Sequence, residues 1–256
     1  MNVRLIGFTL LCILVVAGLI AGLFAQSIER AFTLPSVQKM PGSASVMMPT
    51  IPAITPAATQ VSASILAQDT FQRANQTLWG AASDGQAWGG DANTLAVFSI
   101  TAATGQISQG QSTYNAVLGP VSENVDVVVS GSLNHFAPTV NFGAVLRWTN
   151  ANNWYEAFID GSNLVVLKAV NGVHTRIRAI PFTALDGKMY TLRFRAVGAT
   201  LFARVWQSGD PEPNHWMVTV SDTSLTSGQG GVRIVLQNNT IVHVISFLET
   251  VAGSGI

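Results

Sequence analysis

Chemistry on a protein surface starts with residues whose types and spacing can act together, and the acidic residues are the first test. Between Asp69 and Glu249 they are scattered, and only Asp210 and Glu212 stand two apart, flanking Pro211 in a turn. Glycoside hydrolysis uses two carboxylates about 5 to 10 Å apart. Glu156 and Asp160 share one face of a strand, yet at about 3.3 Å per residue they are roughly 13 Å apart, too far for that work. The histidines, His135, His174, His215 and His243, form no metal-type pair, and no cysteine lies beyond Cys12, so a zinc site is not expected.

Aromatic residues beside amides give a clearer signal. Trp148, Trp154 and Tyr155 bracket the loop Thr149 to Asn153, and Arg147 adds a fork of donors next to it. Recognition of a sugar needs flat apolar faces and well-placed polar groups around them. Arg147, Trp154 and Tyr155 are therefore the candidate carbohydrate-binding residues. With strict alternation, Leu146 and Trp148 face one way and Arg147 the other, and Tyr155 joins Arg147 only if its strand takes the matching register. For Trp79, Trp88, Trp206 and Trp216 the expectation is packing in a core.

The elements that position these residues are strands. Beyond Gln68, short runs rich in Val, Ile, Phe, Leu and Thr alternate with turn signals such as Asp160-Gly161, Asn171-Gly172, Asp186-Gly187 and Asn238-Asn239. Strands are expected at 95–100, 125–132, 142–149, 154–160, 163–170, 173–180, 189–197, 200–207, 215–221, 231–237 and 240–249. In 189–196, Tyr190, Leu192, Phe194 and Ala196 point one way and Thr191, Arg193 and Arg195 the other, as a half-buried antiparallel strand requires. No helical period runs through this region, so a sandwich or barrel is implied.

Upstream the chain has a different character. Leu5 to Ala25 is a run of 21 residues without a charge, bounded by Arg4 and by Glu29 and Arg30. At about 1.5 Å per residue it can cross a bilayer core of about 30 Å. A cleavable signal peptide is the rival reading, disfavoured because such apolar regions are about 7 to 15 residues long. Leu11 before Cys12 argues against a lipidation site. Arg4 and the amino terminus on the short side put the remainder outside the cytoplasm. Residues 31 to 68 then hold Pro35, Pro41, Pro49, Pro52 and Pro56 among Ser, Thr and Ala, which predicts an extended, mobile spacer.

The expected organisation is a transmembrane anchor at 1–30, a disordered linker at 31–66, one all-β domain at 67–250 and a tail at 251–256. Lys plus Arg (13) equal Asp plus Glu (13), and only 10% of residues are charged. That balance excludes a nucleic-acid partner, whose phosphates call for basic excess. A domain of this size can bury enough apolar surface to stand without disulfides.

Three stretches carry a family resemblance. Asp69, Phe71, Arg73, Trp79-Gly80, Ala82, Asp84-Gly85 and Trp88 resemble the opening of bacterial extracellular domains of the concanavalin A-like, laminin-G-like jelly-roll superfamily. Residues 201–222 are similar to a second signature of that group, and Gly143, Leu146-Arg147, Tyr155 and Lys168 to its middle strands. The resemblance implies an antiparallel jelly-roll sandwich of two stacked sheets, one of them concave, used to bind sugars or surfaces. Glucanases share the fold, but their catalytic strand, with carboxylates two residues apart, has no counterpart here. Relatives often hold calcium, so Asp69, Asp84 and Asp222 are candidate Ca2+ ligands; turn formation by the same aspartates is the other reading.

Three functions remain in view: a membrane-anchored module recognising a glycan or cell-envelope polymer, a structural surface or adhesion protein without a small ligand, and a hydrolase or lyase of atypical geometry. The expectation is binding and not catalysis.

Overall fold

The computed structural model describes residues 64–137 and 139–253. The expected anchor and almost all of the expected linker lie outside the described residues. Among those described, no helix is long and apolar enough to cross a membrane.

Sixteen strands follow in order. The first five are short: β1 (Ile65–Asp69), β2 (Gln76–Thr77), β3 (Gly89–Gly90), β4 (Phe98–Thr101) and β5 (Thr104–Ile107). The longer ones are β6 (Thr113–Ser122), β7 (Val125–Leu133), β8 (Asn141–Asn150), β9 (Asn153–Ile159), β10 (Asn163–Val170) and β11 (Val173–Pro181). They continue as β12 (Met189–Val197), β13 (Thr200–Gln207), β14 (Val218–Ser221), β15 (Gly228–Val235) and β16 (Val242–Val251).

These form two antiparallel sheets. One has nine strands in the order β14-β13-β12-β7-β16-β5-β4-β2, with β1 also pairing β16. The other has seven, in the order β11-β10-β9-β8-β15-β6-β3. The core lies between them because each strand turns alternate apolar residues inward. Tyr190, Leu192, Phe194 and Ala196 of β12 are buried in that core, as their alternation predicts, opposite Ala144, Leu146, Tyr155 and Ala157 of the second sheet.

The resembling motif at 69–88 works as a folding device. Asp69, 1% exposed, accepts hydrogen bonds from the Phe71 amide (2.8 Å), the Trp88 indole (2.7 Å) and the Arg73 guanidinium (2.8 and 3.0 Å). Around it Phe71, Trp79, Trp88, Phe98 and Phe247 stack, mostly edge to face, at centroid distances of 4.8 to 5.9 Å. Such pairs add to the apolar burial of the rings. Gly105 has no side chain because a Cβ there would come within 2.6 Å of the Phe71 ring. Trp79 and Trp88 are core residues as expected, whereas Trp206 and Trp216 stay half-buried.

Candidate functional site

The seven-stranded sheet carries apolar residues on both faces. Ala116, Leu146, Tyr155, Val166 and Val232 join the main core, while the intervening Val117, Val145, Trp154 and Ala169 form a second buried cluster on the outward face, with Trp148 and Leu167 against it. An antiparallel sheet with one wet face would read polar there. This one does not.

Arg147 sets that face. Its φ of +50° makes a bulge, and the pairing of β8 shifts between Leu146 and Asn150 on one side and opposite Gln229 to Gly231 on the other. Gly228 permits the distortion, since a Cβ there would lie 2.3 Å from the Arg147 carbonyl carbon. The bulge breaks the alternation. Leu146 is in the core, but Trp148 leaves it and packs with Val145 on the outward face.

On that face Arg233 crosses its β8 partner, Gly143, to reach Glu156, Nη1 to Oε2 3.2 Å. Gly143 keeps the way clear: a Cβ would sit 2.9 Å from Glu156 Oε1. The guanidinium also lies over the Trp154 ring, 4.1 Å from its centroid, a cation–π contact. His174 of the edge strand β11 meets the same indole edge to face at 5.2 Å. Glu156 is fully buried, and that burial, opposed by Arg233, pushes its carboxyl up to about 7.

Four buried polar atoms here have no partner: Asn115 Oδ1, Trp148 Nε1, Glu156 Oε1 and Arg233 Nε. Asn115 pairs with Arg233 in the β6–β15 register, so all four belong to one face of one sheet. Buried polar groups are hydrogen-bonded in the great majority of cases. Sequence reasoning found Trp154 and Trp148 but missed Arg233, Glu156 and Asn115. The spacing Trp154-x-Glu156, which puts both on one face of a strand, was the available signal.

Arg147 and Tyr155, expected beside Trp154 in a ligand groove, are instead brought together at one end of the sandwich. Arg147 is 2% exposed and donates to the carbonyls of Glu123 (2.9 Å), Gly198 (2.6 Å) and Leu225 (2.7 Å). It ties three loops. The Tyr155 hydroxyl donates to Asp222 (2.6 Å) and accepts from the Leu225 amide (3.0 Å); burial and then the bond to Asp222 push it up to about 12. An open cavity of about 460 Å3 adjoins them, lined by Glu123, Asn124, Arg147, Asp222, Thr223 and Thr226 among others, with no aromatic ring.

The three aspartates expected around calcium do not converge. Asp69 is held by Arg73 and Trp88, and Asp84 accepts from the Gln86 amide (2.9 Å) as a turn residue does and from the Gln68 amide of β1 (2.7 Å). Asp222 is bound by Lys168, Tyr155 and Ser224, which, against its burial, hold its carboxyl well below the usual range. Among the described residues no three His, Cys, Asp or Glu side chains are grouped to hold a metal ion. Their oxygens already have N–H and O–H partners.

No protein-family model matches the chain, and no curated protein matches its sequence. Solved structures do match its fold. The carbohydrate-binding module CBM66 from Bacillus subtilis aligns with a TM-score of 0.53 and 14% identity, over 64% of this chain and 94% of that one. The likeness is one of fold. A xylan β-1,4-xylosidase from Bacillus halodurans (TM-score 0.53, 13% identity) and the GH43 protein BlXynB from Bacillus licheniformis (0.54, 12%) each align over 72% of this chain. This chain spans only 38% and 39% of those two enzymes. The domain is thus a two-sheet β-sandwich of the jelly-roll kind found in carbohydrate-binding modules.

Proposed function

We propose that this chain is a membrane-anchored, extracytoplasmic member of the concanavalin A-like jelly-roll proteins that binds carbohydrate or a cell-envelope polymer on the outward face of its seven-stranded sheet. The observation that carries the reading is the half-buried Trp148 on the apolar outward face, beside the amide-rich turn at Asn150, Asn152 and Asn153. A saccharide stacks on a partly exposed ring and bonds the amides beside it, and Trp148 with Asn150, Asn152 and Asn153 offers both. The fold likeness to a carbohydrate-binding module supports the same class of ligand, though a shared fold alone does not assign a function.

Binding without catalysis is part of the proposal. Glu156 is the one carboxylate that the described strands place on this face, and Arg233 engages it. Retaining and inverting glycosidases both need a second. The anchor rests on the 21-residue uncharged run from Leu5 to Ala25. The test is a glycan array probed with the full-length chain in detergent micelles, wild type beside Trp148→Phe. Glycans bound by the wild type and weakened in the variant support the reading, and an array with no bound glycan overturns it.

A further inference from the structure

The six tryptophans divide by what touches their rings. Trp79, Trp88, Trp154 and Trp216 each pack on another aromatic ring. Trp148 and Trp206 are half-buried and pair with no ring among the described residues. Trp148 belongs to the face already described. Trp206 does not, because Arg147, next to Trp148, donates to the Gly198 carbonyl in the turn before β13, whereas Trp206 lies six residues along β13 from Thr200. At about 3.3 Å per residue that is about 20 Å, which puts the two indoles at opposite ends of the sandwich.

At the Trp206 end, the segment joining β11 to β12 stands beside the end of β13 and leaves an open cavity of about 710 Å3. That segment is pinned. Phe182 meets Tyr190 edge to face at 5.7 Å, and the Tyr190 hydroxyl accepts from the Leu185 amide at 2.8 Å. The Phe182 amide donates to the Ser162 carbonyl (2.9 Å) and the Gly187 amide to that of Leu133 (2.8 Å). The cavity therefore exists without a ligand to shape it.

Its apolar lining is Phe182 and Trp206, both half-buried, and Leu185, 54% exposed. Its polar lining is Thr183, Gln207 and Asp210, all exposed, whose side chains form no internal hydrogen bond among the described residues. Accessible rings with a few free polar groups, around a cavity in the usual range of about 300 to 1,000 Å3, are the ordinary make-up of a small-molecule site. A pyranose uses every part of it. The ring rests its C–H face on the indole, while a carboxylate accepts from sugar hydroxyls and an amide both donates and accepts. Asp210 is the one charged group in the lining, and it repels an acidic sugar.

We infer that this cavity is a second saccharide site, selective for neutral sugars, with the sugar ring on Trp206 and its hydroxyls held by Asp210 and Gln207. It goes beyond the reading above, since it lies at the other end of the domain and shares no residue with the Trp148 face.

The experiment probes an array of cello-, malto-, manno- and galacturono-oligosaccharides with the full-length chain in micelles, as wild type, Trp148→Phe, Trp206→Leu and Asp210→Asn. The expected result is a set of neutral oligomers whose apparent affinity falls about fivefold to tenfold in Trp206→Leu and in Asp210→Asn but persists in Trp148→Phe. Asp210 is exposed and its carboxylate makes no internal bond, so Asp210→Asn reports on the site whatever Trp206→Leu does to the melting temperature. Signals that all survive in Trp206→Leu and Asp210→Asn overturn the second site and leave glycan binding at Trp148 standing. Dependence on Trp206 confined to the galacturono-oligosaccharides overturns its selectivity for neutral sugars. An array blank for the wild type overturns both sites.

Discussion

Arg233 lies between Glu156, 3.2 Å from its Nη1, and the Trp154 ring, 4.1 Å below its guanidinium carbon, and a glycine between their strands makes this reach possible. A side chain at Gly143 would press on Glu156 Oε1, on the Ala157 carbonyl at 2.9 Å and on Phe158 Cβ at 2.8 Å. Backbone is among these neighbours, so the strain cannot be relieved by a rotamer change alone. Gly143→Ala should lower stability by about 1–3 kcal/mol, the usual range for overpacking. Chemical denaturation with unchanged midpoint would contradict this role for Gly143.

Tyr155 and Arg147 give the opposite pattern from site residues. Tyr155→Phe removes the hydroxyl that serves both Asp222 and the Leu225 amide, and should cost about 1–3 kcal/mol. Arg147→Met should cost at least as much, since it strands three carbonyls and frees the loops at Glu123, Gly198 and Leu225. Affinity per folded molecule should not change for either variant. A loss of glycan affinity at unchanged melting temperature would return both residues to the site.

Much of this was legible before the structure. The alternation in β12 puts Tyr190, Leu192, Phe194 and Ala196 inward as predicted. β6 was missed because Gly119-Pro120 interrupts its run, and proline demotes a strand. β1 was missed because Ile65 and Leu66 sit against proline-rich sequence and are ordered by pairing with β16, more than 170 residues away. The site was harder to read for one physical reason. Alternation predicts faces only while the pleat is regular, and the bulge at Arg147 sends Trp148 to the face opposite Leu146. Nothing local announces it, since the glycine that permits it, Gly228, lies in another strand.

Glu249 predicts the pH dependence of stability. It is fully buried in β16, neither carboxylate oxygen is hydrogen-bonded, and Gly119 and Gly230 leave room for it, their would-be Cβ atoms falling 2.6 and 2.7 Å from Oε2. Burial pushes the carboxyl up to about 8 from an ordinary 4.5. A raised acid binds its proton more tightly when folded, so its effect on stability is absent below the unfolded value. Stability then falls as pH rises from about 4.5 to about 8. Glu156 adds to the fall up to about 7. The Glu249 contribution is about 3–6 kcal/mol across that window. Asp186 and Asp222, held below the usual range, act in the other direction and lose their contribution only in stronger acid. Glu249→Gln should flatten the profile between pH 7 and 8; a slope there equal to that of the wild type would contradict this account.

Trp148→Phe separates a binding face from a merely structural one. The indole Nε1 is buried and unpartnered, so its removal breaks no internal hydrogen bond and leaves the apolar contact with Val145 and Trp154 largely in place. Isothermal titration of the full-length chain with the glycan that an array selects measures the consequence, with the melting temperature recorded on the same samples. The account predicts that Trp148→Phe melts at or above the wild-type temperature and binds about fivefold to tenfold more weakly, the loss expected when a smaller ring lies beneath the ligand. Unchanged affinity with a lowered melting temperature would contradict a ligand site on the outward face of the seven-stranded sheet.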